Sequence, residues 1–213
     1  MKPIRDSWFI KSTMVACCAL SVIGCGSNSS KKLQLVESLD GSWENGCQNN
    51  GINSPFTRYR YGVTQDTFDL VVTRYSDPQC SSATYQVAYS GTILDRDNEA
   101  LSNDPGSVAA TIDVRFDGVS MTTLSPEQVS AHQASVLCGI SDWQINVSYD
   151  VAACASIPLS NVPYVEYNVY SISGSSSMDG ATHAIYFGAM SGANADDRPT
   201  EVDLGNPFYG SLL

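Results

Sequence analysis

Along most of this chain apolar and polar residues alternate singly, in short runs broken by Gly, Asp, Asn and Pro. In 56–63, Tyr59, Tyr61 and Val63 alternate with Arg58 and Arg60; Phe68, Leu70 and Val72 alternate with Asp69, Val71 and Thr73. A period of two sends successive side chains to opposite faces, so each run predicts a strand with one apolar side. After the turn-rich Ser76-Asp77-Pro78-Gln79-Cys80, residues 84–94 are rich in β-favouring types and predict a third strand. Residues 108–116 predict another. Asp117-Gly118, which suits positive φ, then predicts a tight hairpin into a strand over 119–124. Further strands are expected at 143–151, 164–172 and 182–190, with 174–180 as a flexible loop between the last two. One segment breaks the period. Ser125-Pro126-Glu127-Gln128 offers a capping serine, proline at the first helical position and glutamine at the third. This predicts a short helix to about Val136, ended by Cys138-Gly139. The sum is an all-β, antiparallel up-and-down β-barrel of about eight strands with one short helix; closing the ring removes the strand edges that invite aggregation.

The amino-terminal segment follows a different logic. Lys2, Arg5 and Lys11 accompany a mostly apolar stretch, 13–23, too short to span a bilayer as a helix, which is the composition of an export leader. It closes on Val22-Ile23-Gly24-Cys25, which resembles the lipobox of bacterial lipoproteins. The resemblance implies cleavage before Cys25 and acylation of its sulfur and new amine, enough lipid to hold the protein on a membrane without spanning it. The organisation expected is a signal peptide over 1–24, a lipid anchor and flexible tether over 25–39, and a barrel domain over 40–213. By the family's sorting rule, the lack of Asp after the cysteine implies the outer membrane; the periplasmic face is the side expected for the domain, with the cell surface as the open alternative.

Losing Lys2, Arg5, Lys11 and Asp6 with the leader takes the formal net charge from −11 to −13. Such a chain lacks the basic stripe that phosphate binding needs, so nucleic acid is excluded as a partner, and membrane contact is expected through the N-terminal lipid alone. Cys17 and Cys18 leave with the leader. Four cysteines then remain besides the anchor, Cys47, Cys80, Cys138 and Cys154, an even number in an oxidising compartment. Three pairings are open; Cys47–Cys80 with Cys138–Cys154 is preferred because each closes a local loop. Zinc is the rival use of four cysteines, but there is no CxxC pair and no histidine at ligand spacing. No metal and no cofactor are expected.

Gly41-Ser42-Trp43, opening the first strand of a predicted up-and-down barrel, resembles the Gly-x-Trp of lipocalins and the broader calycins. In that family the tryptophan plugs the closed end of the barrel and an arginine from beyond the last strand packs across it. The resemblance implies a calycin-like fold with a cation–π contact between Trp43 and Arg198 of Asp197-Arg198-Pro199-Thr200. The mid-chain position of the helix departs from the family, whose helix follows the last barrel strand. A plain core aromatic is the competing reading of Trp43.

Catalytic chemistry is thin. His132 falls in the predicted helix, where it reads as a surface residue, and His183 in the last predicted strand; no activated-nucleophile spacing accompanies either. Asp95, Asp97 and Glu99 begin like a calcium loop, but Ala100 and Gly106 stand where glycine and a bidentate glutamate belong. The reading is a non-enzymatic barrel that takes a small apolar or amphipathic ligand, with Tyr59, Tyr61, Phe68 and Tyr89 lining or filling its interior. The alternative is an interaction lipoprotein with a filled barrel whose outer face or loops dock another envelope protein, with loops 48–55, 96–106 and 173–180 as the contacts.

Overall fold

The computed structural model describes residues 39–49, 56–96, 109–174, 183–188 and 192–212. Cys25, residues 26–38 of the expected tether, Asp97, Glu99 and most of the three loops expected to dock a partner lie outside the described residues, whereas Leu39, expected at the end of the tether, is buried in the core. The strands are β1 (Gly41–Glu44), β2 (Gln48–Asn49), β3 (Phe56–Thr64), β4 (Thr67–Tyr75), β5 (Ala83–Asp95), β6 (Ala109–Thr123), β7 (Ser148–Asp150), β8 (Tyr164–Gly174), β9 (His183–Phe187) and β10 (Phe208–Leu212). The helix α1 (Pro126–Ser135) follows β6. Eight strands form a closed antiparallel ring in the order β1, β3, β4, β5, β6, β8, β9, β10, because β1 pairs with both β3 and β10. The short β2 and β7 add to β3 and β6. The protein is an all-β, calycin-like up-and-down barrel.

Cross-strand partners share a face. Tyr61 opposite Leu70, Leu70 opposite Tyr89 and Val87 opposite Met121 all point inward, and Phe68, Ile112, Phe116 and Ile185 are buried with them. Their rings meet edge to face, Phe68 and Phe116 at 5.6 Å and 90°, which suits the aromatic quadrupole. One end of the barrel is plugged. Trp43 is 0 % exposed, its Nε1 donates to the carbonyl of buried Leu39 at 3.0 Å, and Gly210 opposite it leaves room for the indole. A Cβ at Gly210 would lie 2.2 Å from the Ser42 carbonyl oxygen.

The long β6 corrects the hairpin expected at Asp117-Gly118. Neither residue has positive φ, and the register steps from Ser90↔Gly118 to Gly91↔Phe116, leaving Asp117 as the extra residue of a β-bulge. The Asp117 carboxylate accepts from Arg115 Nε at 2.7 Å and from Thr92 Oγ1 at 3.1 Å, which ties the bulge to both strands.

The strand expected over 143–151 shrinks to β7. The Trp143 carbonyl accepts from Gln133 Nε2 at 2.8 Å and its indole donates to Leu137 O at 3.3 Å, so this stretch is bonded to the helix region at its start and meets β6 at a single parallel bridge, Ile145 with Thr123, where Asn146 N donates to the Thr123 carbonyl at 2.8 Å. The strand expected at 182–190 is seen as β9, with 182 and 189–190 outside the described residues.

Helix α1 starts as predicted, Ser125 Oγ accepting from Gln128 N at 3.2 Å and Pro126 opening the first turn. The surface assignment of His132 is overturned. It is 5 % exposed, between Tyr85 at 5.7 Å and Trp143 at 5.1 Å. With the Gln128 amide donating to Nε2 at 2.7 Å, Nδ1 keeps its proton and donates to the buried Thr123 Oγ1 at 3.1 Å. Burial of the neutral ring lowers its pKa.

Both preferred disulfides form. Cys47–Cys80 joins the start of β2 to the β4–β5 turn, and Cys138–Cys154 ties the end of the helical region to the loop 151–160.

Candidate binding recess at the barrel mouth

The barrel interior is nearly filled. A hole of about 30 Å3 remains between Phe68, Ile112, Phe116 and Glu166. It shares Tyr61, Leu70, Glu166, Asn168 and Phe187 with a larger recess of about 350 Å3, which opens at the end where β1 and β9 finish and β8 and β10 begin. That volume falls at the lower bound usual for small-molecule sites.

Aromatic rings build one wall. Tyr61 stands 4.9 Å from Phe187 and 4.7 Å from Phe208, and those two phenylalanines are 5.8 Å apart. Tyr59 continues the wall on β3, and Leu159, 49 % exposed, supplies an apolar lip from the loop before β8. Glu166 lies opposite Val114 on β6, so its carboxyl faces inward where the recess meets the hole, and Tyr164 Oη donates to it at 3.3 Å. Burial pushes the Tyr61 and Tyr164 phenols above their ordinary range, and the Glu166 charge adds to both. Burial likewise pushes Tyr89 up to about 12. These three groups are hydroxyl donors at neutral pH.

The rim is polar and self-bonded. Gln48 Nε2 donates to Asn206 Oδ1 at 3.0 Å, and Asp203 Oδ1 accepts from Gly205 N at 2.9 Å. Asn45 is 2 % exposed; its Oδ1 accepts from Tyr59 N at 2.8 Å, while its buried Nδ2 has no acceptor among the described residues. The recess is lined by two carboxylates, Glu166 and Asp203, and by no Lys, Arg or His among the described residues. The inward cation of β4, Arg74, lies outside this lining and donates to Thr57 Oγ1 at 2.6 Å.

Of the four aromatics expected at the interior, Tyr59 and Tyr61 line the recess and Phe68 lines the hole. Tyr89 is buried and its hydroxyl donates to Pro158 O at 2.8 Å, which ties the barrel to the loop before β8.

Arg198 and Trp43 are not brought together. Arg198 Nη1 lies 2.6 Å from Asp113 Oδ1 and donates to the Asn168 carbonyl at 2.9 Å, and its guanidinium sits 5.5 Å from the Tyr167 ring. Asp113 and Tyr167 are cross-strand neighbours on the outside of β6 and β8, so the ion pair holds Arg198 across the barrel wall from the indole. The cation–π contact expected of it is made with Tyr167.

Sequence reasoning passed over Asn45, Leu159, Glu166, Phe187 and Phe208. Glu166 alternates with Val165 and Tyr167, and nothing in that run marks the carboxylate as inward.

Among the described residues no cluster of His, Cys, Asp or Glu could hold a metal ion. No protein-family model matches the chain, and no curated protein matches it.

Proposed function

We propose that the protein is an envelope lipoprotein, acylated at Cys25 and held on the periplasmic face of the outer membrane, whose barrel mouth binds a small amphipathic molecule. The observation that carries the binding reading is the recess of about 350 Å3, with an aromatic wall and a few convergent polar groups, above a barrel that is otherwise full. The anchoring reading rests on the leader and Val22-Ile23-Gly24-Cys25. Titration with a neutral fluorescent amphiphile is expected to saturate at one site per chain. A signal that rises linearly with added probe, as partition into no defined site gives, would contradict it. Mass spectrometry of the mature amino terminus is expected to find Cys25 carrying lipid; an unmodified Cys25 in exported protein removes the anchor.

A specific observation favours a second reading, a lipoprotein whose barrel wall docks an envelope protein. The outer face of β3 to β6 carries a concavity of about 510 Å3, lined by Ala88, Ser90, Gly118 and Ser120 between the charged Arg60, Asp69 and Asp150. Small side chains leave the backbone open to a partner's protruding loop. A photo-crosslinker at Ser120, in intact envelopes, is expected to trap one reproducible protein if this face docks.

A further inference from the structure

Resting on the ligand-binding reading, the recess also carries information about the charge of its occupant. Two acids and no base line it among the described residues. The inward carboxyl of Glu166 lines the recess together with the rings of Tyr61, Phe187 and Phe208, which converge there. A carboxylate beside clustered aromatic rings is the pairing that attracts an organic cation, because the ring quadrupole and the acid pull in the same direction. An anionic head, such as that of a fatty acid, would meet Glu166 and Asp203 and be repelled.

The buried Nδ2 of Asn45 adds an independent requirement. A buried amide donor left without an acceptor costs about 1–3 kcal/mol, and Asn45 lines the recess with its Oδ1 already committed to the Tyr59 backbone. A bare ammonium gives this donor nothing to bond. A head group that carries an oxygen acceptor as well as its amine offers this donor a partner.

We infer that the recess selects a cationic amphiphile, an alkylated amine with a neighbouring oxygen acceptor whose ammonium pairs with Glu166 and whose apolar body lies against the Tyr61–Phe187–Phe208 wall. The net charge of −11 on the full chain adds a long-range attraction for such a molecule.

Three probes of one shape test it by calorimetry on the full-length protein: N-octylethanolamine as the cation, ethylene glycol monooctyl ether as the neutral form, and octyloxyacetate as the anion. The cation is expected to bind roughly tenfold or more tighter than the neutral ether, as a desolvated cation–π and ion contact would give, with the anion weakest. Glu166→Gln is expected to abolish that preference, with a circular dichroism spectrum and a melting transition like those of the unaltered protein showing that the variant is folded. Glu127→Gln, which removes one charge from an exposed position on α1, is expected to keep the preference. Equal binding of cation and ether, or a preference that survives in Glu166→Gln, overturns the inference and leaves the ligand-binding reading standing. Absence of saturable binding by all three overturns the ligand-binding reading itself, and this inference falls with it.

Discussion

His132 is the residue whose chemistry most directly links burial to stability. Its pKa is lowered by burial, so the folded state takes up a proton less readily than the unfolded chain, where the value is about 6.5. Its neutral form therefore contributes stability that is full above about pH 6.5 and declines as the pH falls below that toward the folded pKa. Thermal melting followed from about pH 7 to about pH 5 is expected to show a falling Tm. His132→Gln is expected to flatten that fall; an equal slope in the variant would mean that another group titrates. A second decline, in the carboxylate range near about pH 4 and below, is expected to persist in the variant. There Asp77 and Asp117 lose ionised forms whose pKa values are lowered in the fold, Asp77 by hydrogen bonds from Ser81, Ser82 and Gln79 that outweigh its desolvation, Asp117 chiefly by Arg115. Trp43 sets the other residue-scale expectation. Truncating it to alanine in the plugged end should cost about 3–5 kcal/mol in denaturant unfolding. Gly210→Ala should also destabilise, because its Cβ would meet the Ser42 backbone at 2.2 Å, whereas a Cβ at Gly118 meets only the movable Ser90 hydroxyl at 2.9 Å. Equal melting points for Gly210→Ala and Gly118→Ala would contradict that assignment.

Elements were legible in the sequence where one face meets water and the other the core. In β3 and β4 the inward Tyr61, Val63, Phe68, Leu70 and Val72 alternate with outward Arg58, Arg60, Asp69 and Thr73, and the predicted strands match. In β8 this contrast is lost. The outward Val169 and Ser171 are buried, as is Ala184 on β9, where 192–202 returns along this wall through Tyr167↔Gly192 and Gly188↔Val202. With both faces covered, Val, Tyr and Ser can stand outward while Glu166 and Asn168 stand inward, and a period of two no longer tells the faces apart. The same limit hid β10, five residues with Gly210 at their centre, whose place is set by the Trp43 indole across the closing seam. Asp117-Gly118 misled for another reason: a dipeptide suited to a turn equally suits a bulge, and the partner strand decides between them. Helix α1 shows local strain that the sequence conceals, since its C-cap is Val136 at φ 47°, half exposed. A β-branched residue in the left-handed region is unfavourable by roughly 1–2 kcal/mol, so Val136→Gly is expected to raise stability by about 1 kcal/mol net of the glycine's greater freedom when unfolded. An unchanged or lower unfolding free energy would contradict it. Removing the Cys138–Cys154 bridge, which spans 16 residues, as a Cys→Ser pair is expected to cost about 3 kcal/mol. Limited proteolysis of that variant is expected to cut first in 151–160, the segment that the bridge and Tyr89 hold against the barrel.

At the scale of the whole molecule, the closed ring and its two disulfides follow from patterns visible in the chain, but the recess does not. It is assembled from Asn45, from β2, β3, β4, β8, β9 and β10, and from the segments before β8 and before β10, and its volume depends on how completely the core fills the space beneath it. The filled interior divides the barrel into a plugged end at Trp43 and Leu39 and an aromatic mouth at Tyr61, Phe187 and Phe208. A ligand would sit in the mouth with its polar head beside Glu166 and Asn45. Chemical-shift mapping of the isotope-labelled protein with ethylene glycol monooctyl ether tests this most directly, because it locates a neutral probe without relying on charge. The shifts are predicted to gather on Asn45, Tyr61, Glu166, Phe187 and Phe208 and to saturate together. Shifts centred on Ala88 and Ser120 of the outer wall, or no saturating shifts at all, would contradict the placement of the binding site at the barrel mouth.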